Sequence, residues 1–207
     1  MGTELEQKYV VDSTRPWTVQ TQLLAQLNRA GYQVAFLEEK PQQDTYFDTP
    51  EEAVLKEGGS LRLREKGKKR LLSVKSMLRS QEGTFLRRED ELILGQEADP
   101  MAFLSEHLPE VNLEQLRPTV VVVNRRRTYE VSRTAGGRFE LAFDDVTYQN
   151  PGTGREYRER QVEIEALSGT EEDLARVVSA LRLPELHPAA ESKYQRAVRL
   201  TAAEKAR

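Results

Sequence analysis

The 207 residues contain no cysteine, which excludes disulfides, zinc–thiolate sites and iron–sulfur clusters. Histidine is nearly as scarce. His107 and His187 are the only two, far apart and in polar or proline-containing surroundings. Both read as surface residues, so neither a histidine metal site nor a triad is expected. Long apolar runs are also missing: the longest aliphatic stretch is Val120 to Val123, far short of the roughly 20 residues of a membrane helix. The N-terminus is charged from Glu4 onward and reads as no signal peptide, and Met1-Gly2 is followed at position 6 by Glu rather than by the Ser or Thr of a myristoylation signal. Excess charge of one sign is absent as well. Thirty-one Lys and Arg stand against 34 Asp and Glu, a net −3 that gives no global preference for nucleic acid or anionic membrane. The expectation is a cytoplasmic protein, monomer or homodimer, with no nucleic-acid or membrane partner.

What is present is charge in quantity. Charged residues make up 31% and hydrophobic ones 38%, enough for one globular domain over 1–207 with a real core. A helix is expected where Pro16 suits a first turn, Val19, Leu23, Leu24 and Leu27 form a stripe, and Gly31 ends it. A second is expected at "SGTEEDLARVVSALRL", with Thr170 as N-cap, acids in its first turn and an Arg in its last, and a short closing one at "ESKYQRAVRL". The stretch 96–116 holds short helical candidates near Pro100 and Pro109. Eight segments read as strands, among them the opening "MGTELEQKYVV", "QQDTYFDTP" and "TFLRREDELIL". "LRLRE" and "LLSVKS" form a hairpin around Gly67, "TVVVVNRRRTYEV" and "RFELAFDDVTY" a second through Gly136-Gly137, and "YRERQVEIEAL" is the eighth strand. Hairpins dominate, so the sheet is expected to be largely antiparallel.

The strands share an alternation of long charged side chains with apolar ones. Glu4, Glu6 and Lys8 fall on one face, as do Arg62 and Arg64, then Arg87, Glu89 and Glu91, then Glu163 and Glu165. For one strand, a half-buried sheet with a wet outer face explains this. For all eight together, a closed sheet with the charges inside and the apolar faces covered by helices explains more. Such an interior would hold seven bases, Lys8, Arg62, Arg64, Lys75, Arg87, Arg126 and Lys193, beside seven acids. Buried charges must be paired or bind ions. Clustered carboxylates without His or Cys suit Mg²⁺ or Mn²⁺, and clustered Arg and Lys suit phosphate oxygens. Together they describe a site for a metal-bound polyphosphate.

"ELEQK" resembles the Glu-x-Glu-x-Lys signature of CYTH-domain proteins, the triphosphate tunnel metalloenzymes, and the later segments follow in that family's order. These are "TYFDTP", "GGSLRLRE", "LSVK", "RREDE", "RRRTYEV", "LAFDD", "VEIEALSG" and "SKYQRA". The chain is most similar to stand-alone bacterial inorganic triphosphatase CYTH domains. The resemblance implies an α+β fold, with an eight-stranded, mainly antiparallel closed β-barrel as the triphosphate tunnel and helices packed outside. It implies metal carboxylates at Glu4, Glu6, Glu163 and Glu165, with Asp144 and Glu89 nearby, and Mg²⁺ or Mn²⁺ as cofactor. Lys8, Arg62, Arg64, Lys75, Arg126 and Lys193 would contact the triphosphate, with Arg87 beside them. Glu4, Glu6, Lys8, Arg62, Arg64 and Lys75 form the implied catalytic set. Arg126 is preferred to Arg125 and Arg127 by its spacing to Tyr129, and Asp144 to Asp145 by the match to a Leu-Asp pair; strand parity decides both. Tyr46 and Phe47 are wall packing or substrate contacts.

The activity implied is hydrolysis of inorganic triphosphate to pyrophosphate and phosphate. The bases and one ion would hold the chain in line, and a second ion would acidify the attacking water. Thiamine or nucleoside triphosphate hydrolysis, class IV adenylyl cyclase chemistry and non-catalytic polyphosphate binding are the alternatives.

Overall fold

A computed structural model describes residues 2–95, 97–134 and 136–202. Met1, at the head of the opening motif, and Gln96, at the start of the 96–116 stretch, lie outside the described residues. Eight strands close into an antiparallel barrel: β1 (Gly2–Val11), β2 (Gln33–Asp48), β3 (Ser60–Lys66), β4 (Lys69–Gln81), β5 (Thr84–Ile93), β6 (Arg117–Ser132), β7 (Arg138–Asn150) and β8 (Arg155–Ser168). The neighbour order is β5-β4-β3-β2-β6-β7-β8-β1, and a β5–β1 pairing shuts the ring. A three-residue strand, β9 (Leu186–Pro188), pairs with β1 from Tyr9 to Val11, beyond the point where β5 leaves it. The architecture is the α+β barrel expected from alternation and from the resemblance.

Among the described residues five α-helices clothe it: α1 (Pro16–Arg29), α2 (Ala53–Lys56), α3 (Pro100–His107), α4 (Glu171–Ser179) and α5 (Lys193–Thr201). The stripe of α1 buries Val19, Leu23 and Leu27 against Tyr9, Leu141, Val162 and Ile164, the outward residues of β1, β7 and β8. Leu23 and Leu27 are fully buried, a burial worth about 1.5–3 kcal/mol each. Gly31, at φ +83°, makes the left-handed turn that ends this segment. Helix α4 joins the same core with Leu174 and Val177, and its Thr170 N-cap forms a capping box with Asp173. Helix α3 covers Leu61, Leu72 and Val74 of β3 and β4. The apolar faces therefore look outward and the helices hide them from water.

The interior is not charged throughout. Val120, Val122, Val146 and Tyr148 share strand parity with Arg126 and Asp144, yet form an apolar cluster with Tyr46, Tyr194 and Ala197 of α5. Helix α5, capped by Ser192, thus packs onto one end of the barrel, and Tyr194 stacks on Tyr46 with centroids 5.1 Å apart. Fully buried Asp48 at the end of β2 joins this plug to α2. It accepts from the backbone amides of Thr49, Val54 and Leu55 at 2.8, 2.9 and 3.0 Å and from Tyr194 Oη at 2.9 Å. Removing it strands three amides. Asp48→Ala should cost about 3 kcal/mol and Tyr194→Phe about 1 kcal/mol, read as shifts of the urea midpoint.

Candidate functional site

At the other end the inward residues are ionic. They enclose about 750 Å³, open mouth included, lined by seven bases and seven acids. Strand β1 supplies Glu4, Glu6 and Lys8; β3 supplies Arg62 and Arg64; β4 supplies Lys75; β5 supplies Arg87, Glu89 and Glu91. Arg126 comes from β6, Glu140 from β7, Glu163 and Glu165 from β8, and Lys193 from the first turn of α5. Every site residue expected from sequence lines this cavity except Asp144, which lies behind Arg126 and Lys193 and is 2% exposed. Strand parity separates the neighbours. Arg126 points inward, while Arg125 and Arg127 pair with Glu39; Asp144 points inward, while Asp145 meets Arg160 at 2.8 Å. Tyr46 lines the cavity and Phe47 packs in the outer core over β3 and β4.

The charges are heavily paired. Arg126 forks onto Asp144 at 2.9 and 2.8 Å and also reaches Glu163. Lys193 Nζ lies 2.5 Å from Asp144 and 3.0 Å from Glu163. Glu163 also meets Lys8 at 3.1 Å, and Lys8 meets Glu6 at 3.2 Å. Lys75 bridges Glu4 at 2.7 Å and Glu89 at 3.1 Å, while Arg87 contacts both Glu4 and Glu6. Burial alone would raise Glu163, but Lys193, Lys8 and Arg126 overcome it and hold that carboxyl well below its usual range. Glu4 is lowered against burial in the same way, by Lys75 and Arg87.

Glu165 is the exception. It stands directly across from Glu6 on β1 and from Glu140 on β7, so three carboxyls form one row over adjacent strands. Like charges in such positions repel. No base among the described residues lies within salt-bridge distance of Glu165, and burial, then Glu4 and Glu6, push its pKa up to about 8. Glu91 at the mouth is raised too, by burial and by Glu89. With Asp44 and Asp144 behind the lining, the interior holds two more acids than bases. No three acidic or histidine side chains among the described residues already converge as a metal cage. The donor set nonetheless fits a hard divalent cation: oxygen ligands alone, one carboxyl without a partner, and an excess of negative charge.

Sequence reasoning missed Asp44, Ser60 and Glu140. Glu140 was legible as the inward residue four before Asp144. Asp44 shares the face of Tyr46 and Asp48 on β2, a parity hidden while that stretch reads only as an aromatic strand.

The raised Glu165 makes a prediction about the metal-free protein. Between about pH 4.5 and 8 the folded chain holds a proton that the unfolded chain has released. Its contribution is thus present at low pH and lost as pH rises through that window. Glu165→Gln should remove this slope and stabilise the metal-free protein above pH 8 by on the order of a few kcal/mol. Urea midpoints measured from pH 5 to 9 in chelator check it; a variant with the wild-type slope would contradict the assignment.

Solved structures share the fold. HpAC1 from Hippeastrum, whose description names an adenylyl cyclase with a dominant triphosphatase activity, is 16% identical with a TM-score of 0.66 and covers 97% of this chain and 98% of its own. A candidate adenylate cyclase from Bacillus halodurans is 20% identical, TM-score 0.59, over 95% and 98%. PH1819 from Pyrococcus horikoshii OT3 is 17% identical, TM-score 0.58, over 95% and 99%. No curated protein matches the chain. The model of the CYTH domain matches residues 4–198, nearly the whole length of the barrel and its plug, and the chain belongs to the CYTH domain family.

Proposed function

We propose that this CYTH domain hydrolyses inorganic triphosphate to pyrophosphate and phosphate, using Mg²⁺ or Mn²⁺. The observation that carries the reading is one cavity in which paired bases face a row of carboxyls, Glu6, Glu165 and Glu140, whose middle member has no base within salt-bridge distance among the described residues. A linear triphosphate carries about four to five negative charges, which must be neutralised before anything can attack it. The dominant triphosphatase activity named for the Hippeastrum relative is in line with this.

Lys8, Arg62, Arg64, Arg87, Arg126 and Lys193 bind the phosphates in this reading, with the N–H groups that their anchoring aspartates leave free or that turn from a lining glutamate. Their charge then stabilises what builds on the transferring oxygens. Glu4, Glu6 and Glu165 would hold the ion, with Glu89, Glu163 and Glu140 close by. When bound, a divalent ion there neutralises phosphate charge and acidifies water. Both oxygens of Asp144 are engaged by Arg126 and Lys193, so Asp144 acts by holding those two bases. Lys75 spans Glu4 and Glu89 and frees them when it turns to phosphate.

Activity should require Mg²⁺ or Mn²⁺ and vanish in excess EDTA, and Ca²⁺, with its larger and looser shell, should not support it. Glu4→Gln and Glu6→Gln should abolish turnover while the proteins still unfold cooperatively. Arg62→Ala or Arg64→Ala should each lose a charge-assisted contact of about 1.5–3 kcal/mol, seen chiefly as a raised KM. Arg62→Lys should be nearly as harmful, because a point charge does not replace a fork. The deciding assay compares tripolyphosphate, ATP and thiamine triphosphate at equal metal, reading phosphate and cyclic AMP. Tripolyphosphate should lead by kcat/KM. Cyclic AMP from ATP would establish a cyclase, a faster nucleotide or thiamine triphosphate a different triphosphatase, and binding without cleavage a polyphosphate-binding module.

A further inference from the structure

Asp44 has no place in the chemistry above, yet it is among the most buried charges of the barrel, 1% exposed on the inner face of β2. It stands directly opposite Arg64 on β3, one inward position from the Tyr46–Arg62 pair. Its two oxygens accept from Arg64 Nε and Nη2, both at 2.8 Å. Oδ2 lies also 3.5 Å from Arg62 Nη1. Arg62 Nε donates to the hydroxyl of fully buried Ser73 at 3.0 Å. Arg64 is therefore fastened along one edge to the barrel wall, and Arg62 is tied to it at Nε and, more loosely, at Nη1. What is left faces the cavity: Arg62 Nη2, 3.4 Å from Glu89, and Arg64 Nη1, which has no acceptor among the described residues.

A carboxylate behind two phosphate-binding arginines is electrostatically counterproductive, since it cancels charge that a polyanion would use. Its presence is understandable if the gain is geometric. A guanidinium held along one edge offers the other in a fixed plane, and misplacement of a binding group costs rate even where affinity survives. The same arrangement recurs on the far side of β6, where Asp144 holds Arg126 and Lys193. Despite burial, Arg62 and Arg64 keep Asp44 ionised, with a pKa of about 2, so it is a constant anchor and not a switch. We propose that Asp44 is a positioning residue that fixes the planes of Arg62 and Arg64 and so sets where the phosphate chain is held; this rests on the triphosphatase reading.

Charge and positioning make opposite predictions for Asp44→Asn. Charge alone makes the variant a better binder and no worse a catalyst. Positioning makes kcat for tripolyphosphate fall at least tenfold with KM equal or lower, and Asp44→Glu recovers part of the loss. A variant with kcat within twofold of wild type, whatever its melting temperature, overturns the proposal, as does a raised KM with kcat intact. Because removing a buried partner can prevent folding, a second measurement uses the wild-type chain. By NMR, the Nε–H proton of Arg64, which Asp44 accepts, should exchange with solvent at least tenfold more slowly than that of exposed Arg158, without ligand. Exchange of Arg64 as fast as Arg158 overturns the proposal with no variant needed. If wild type leaves tripolyphosphate uncleaved, the function reading fails instead, while the exchange rate still reports whether Asp44 holds Arg64.

Discussion

Charge inside a closed sheet has no water to turn to, so each ionised group must find its opposite among the residues that share its face. In this barrel the strand alternation puts six bases and seven acids on the lining, with Lys193 of α5 as a seventh base, and the rest of the design follows from pairing them. The outward faces become apolar because the inward ones are not, so the helices are needed to cover them. The end whose inward positions are mostly apolar closes as a core, with α5 packed on Val120, Val122 and Tyr148. A packed interior would have filled the whole barrel; ionic side chains that prop one another apart leave a cavity.

The pairing is uneven along the axis. Near the plug, Lys8, Arg126 and Lys193 surround Glu163 and Asp144, and those acids are held firmly ionised. Toward the mouth, Glu165 stands beside Glu140, and Glu91 feels Glu89, with fewer bases to share. A metal-free protein must tolerate that repulsion by keeping a proton on Glu165, at a cost in stability that rises with pH. Local strain of this kind is common where a site is shaped for a ligand and not for itself. In the proposed reading the ligand supplies both missing pieces, positive charge for the acid row and negative charge for the bases.

Much of this was legible in the residues. The period of two located all eight barrel strands; Arg126 and Asp144 were preferred on family spacing, and the closed sheet turns both inward and their neighbours outward. Other parts had no local signal. The first half of β2, "QVAFLEEKP", carries a proline and three charges with no clean alternation; it is a strand because eight residues of β6 lie beside it, across a register shift between Phe36 and Glu38. The extension of β4 past Ser76 is likewise imposed by β5, with a shift at Met77. Helix α2 has four residues, too few for any periodicity, and exists because Asp48 collects its amides. Asp44 was invisible for a related reason: an aspartate between glutamine and threonine reads as a solvated strand residue until its cross-strand arginine is known.

That last failure has a physical lesson about tunnels built from ion pairs. A sequence displays the groups that touch a ligand, since long Arg, Lys and Glu side chains alternate visibly along each strand. It hides the short acid Asp44 behind them, and it showed Asp144 as a site residue without showing that its partners are Arg126 and Lys193. Yet a flexible arginine without such an anchor has several rotamers to lose on binding, on the order of 1.5–2 kcal/mol of conformational freedom. Placing that loss in the folding step, where Ser73, Asp44 and Asp144 already bear it, leaves a ligand less ordering to do. The same pairs also explain why the bases do not simply repel one another in the empty barrel: each is already half-satisfied before any phosphate arrives.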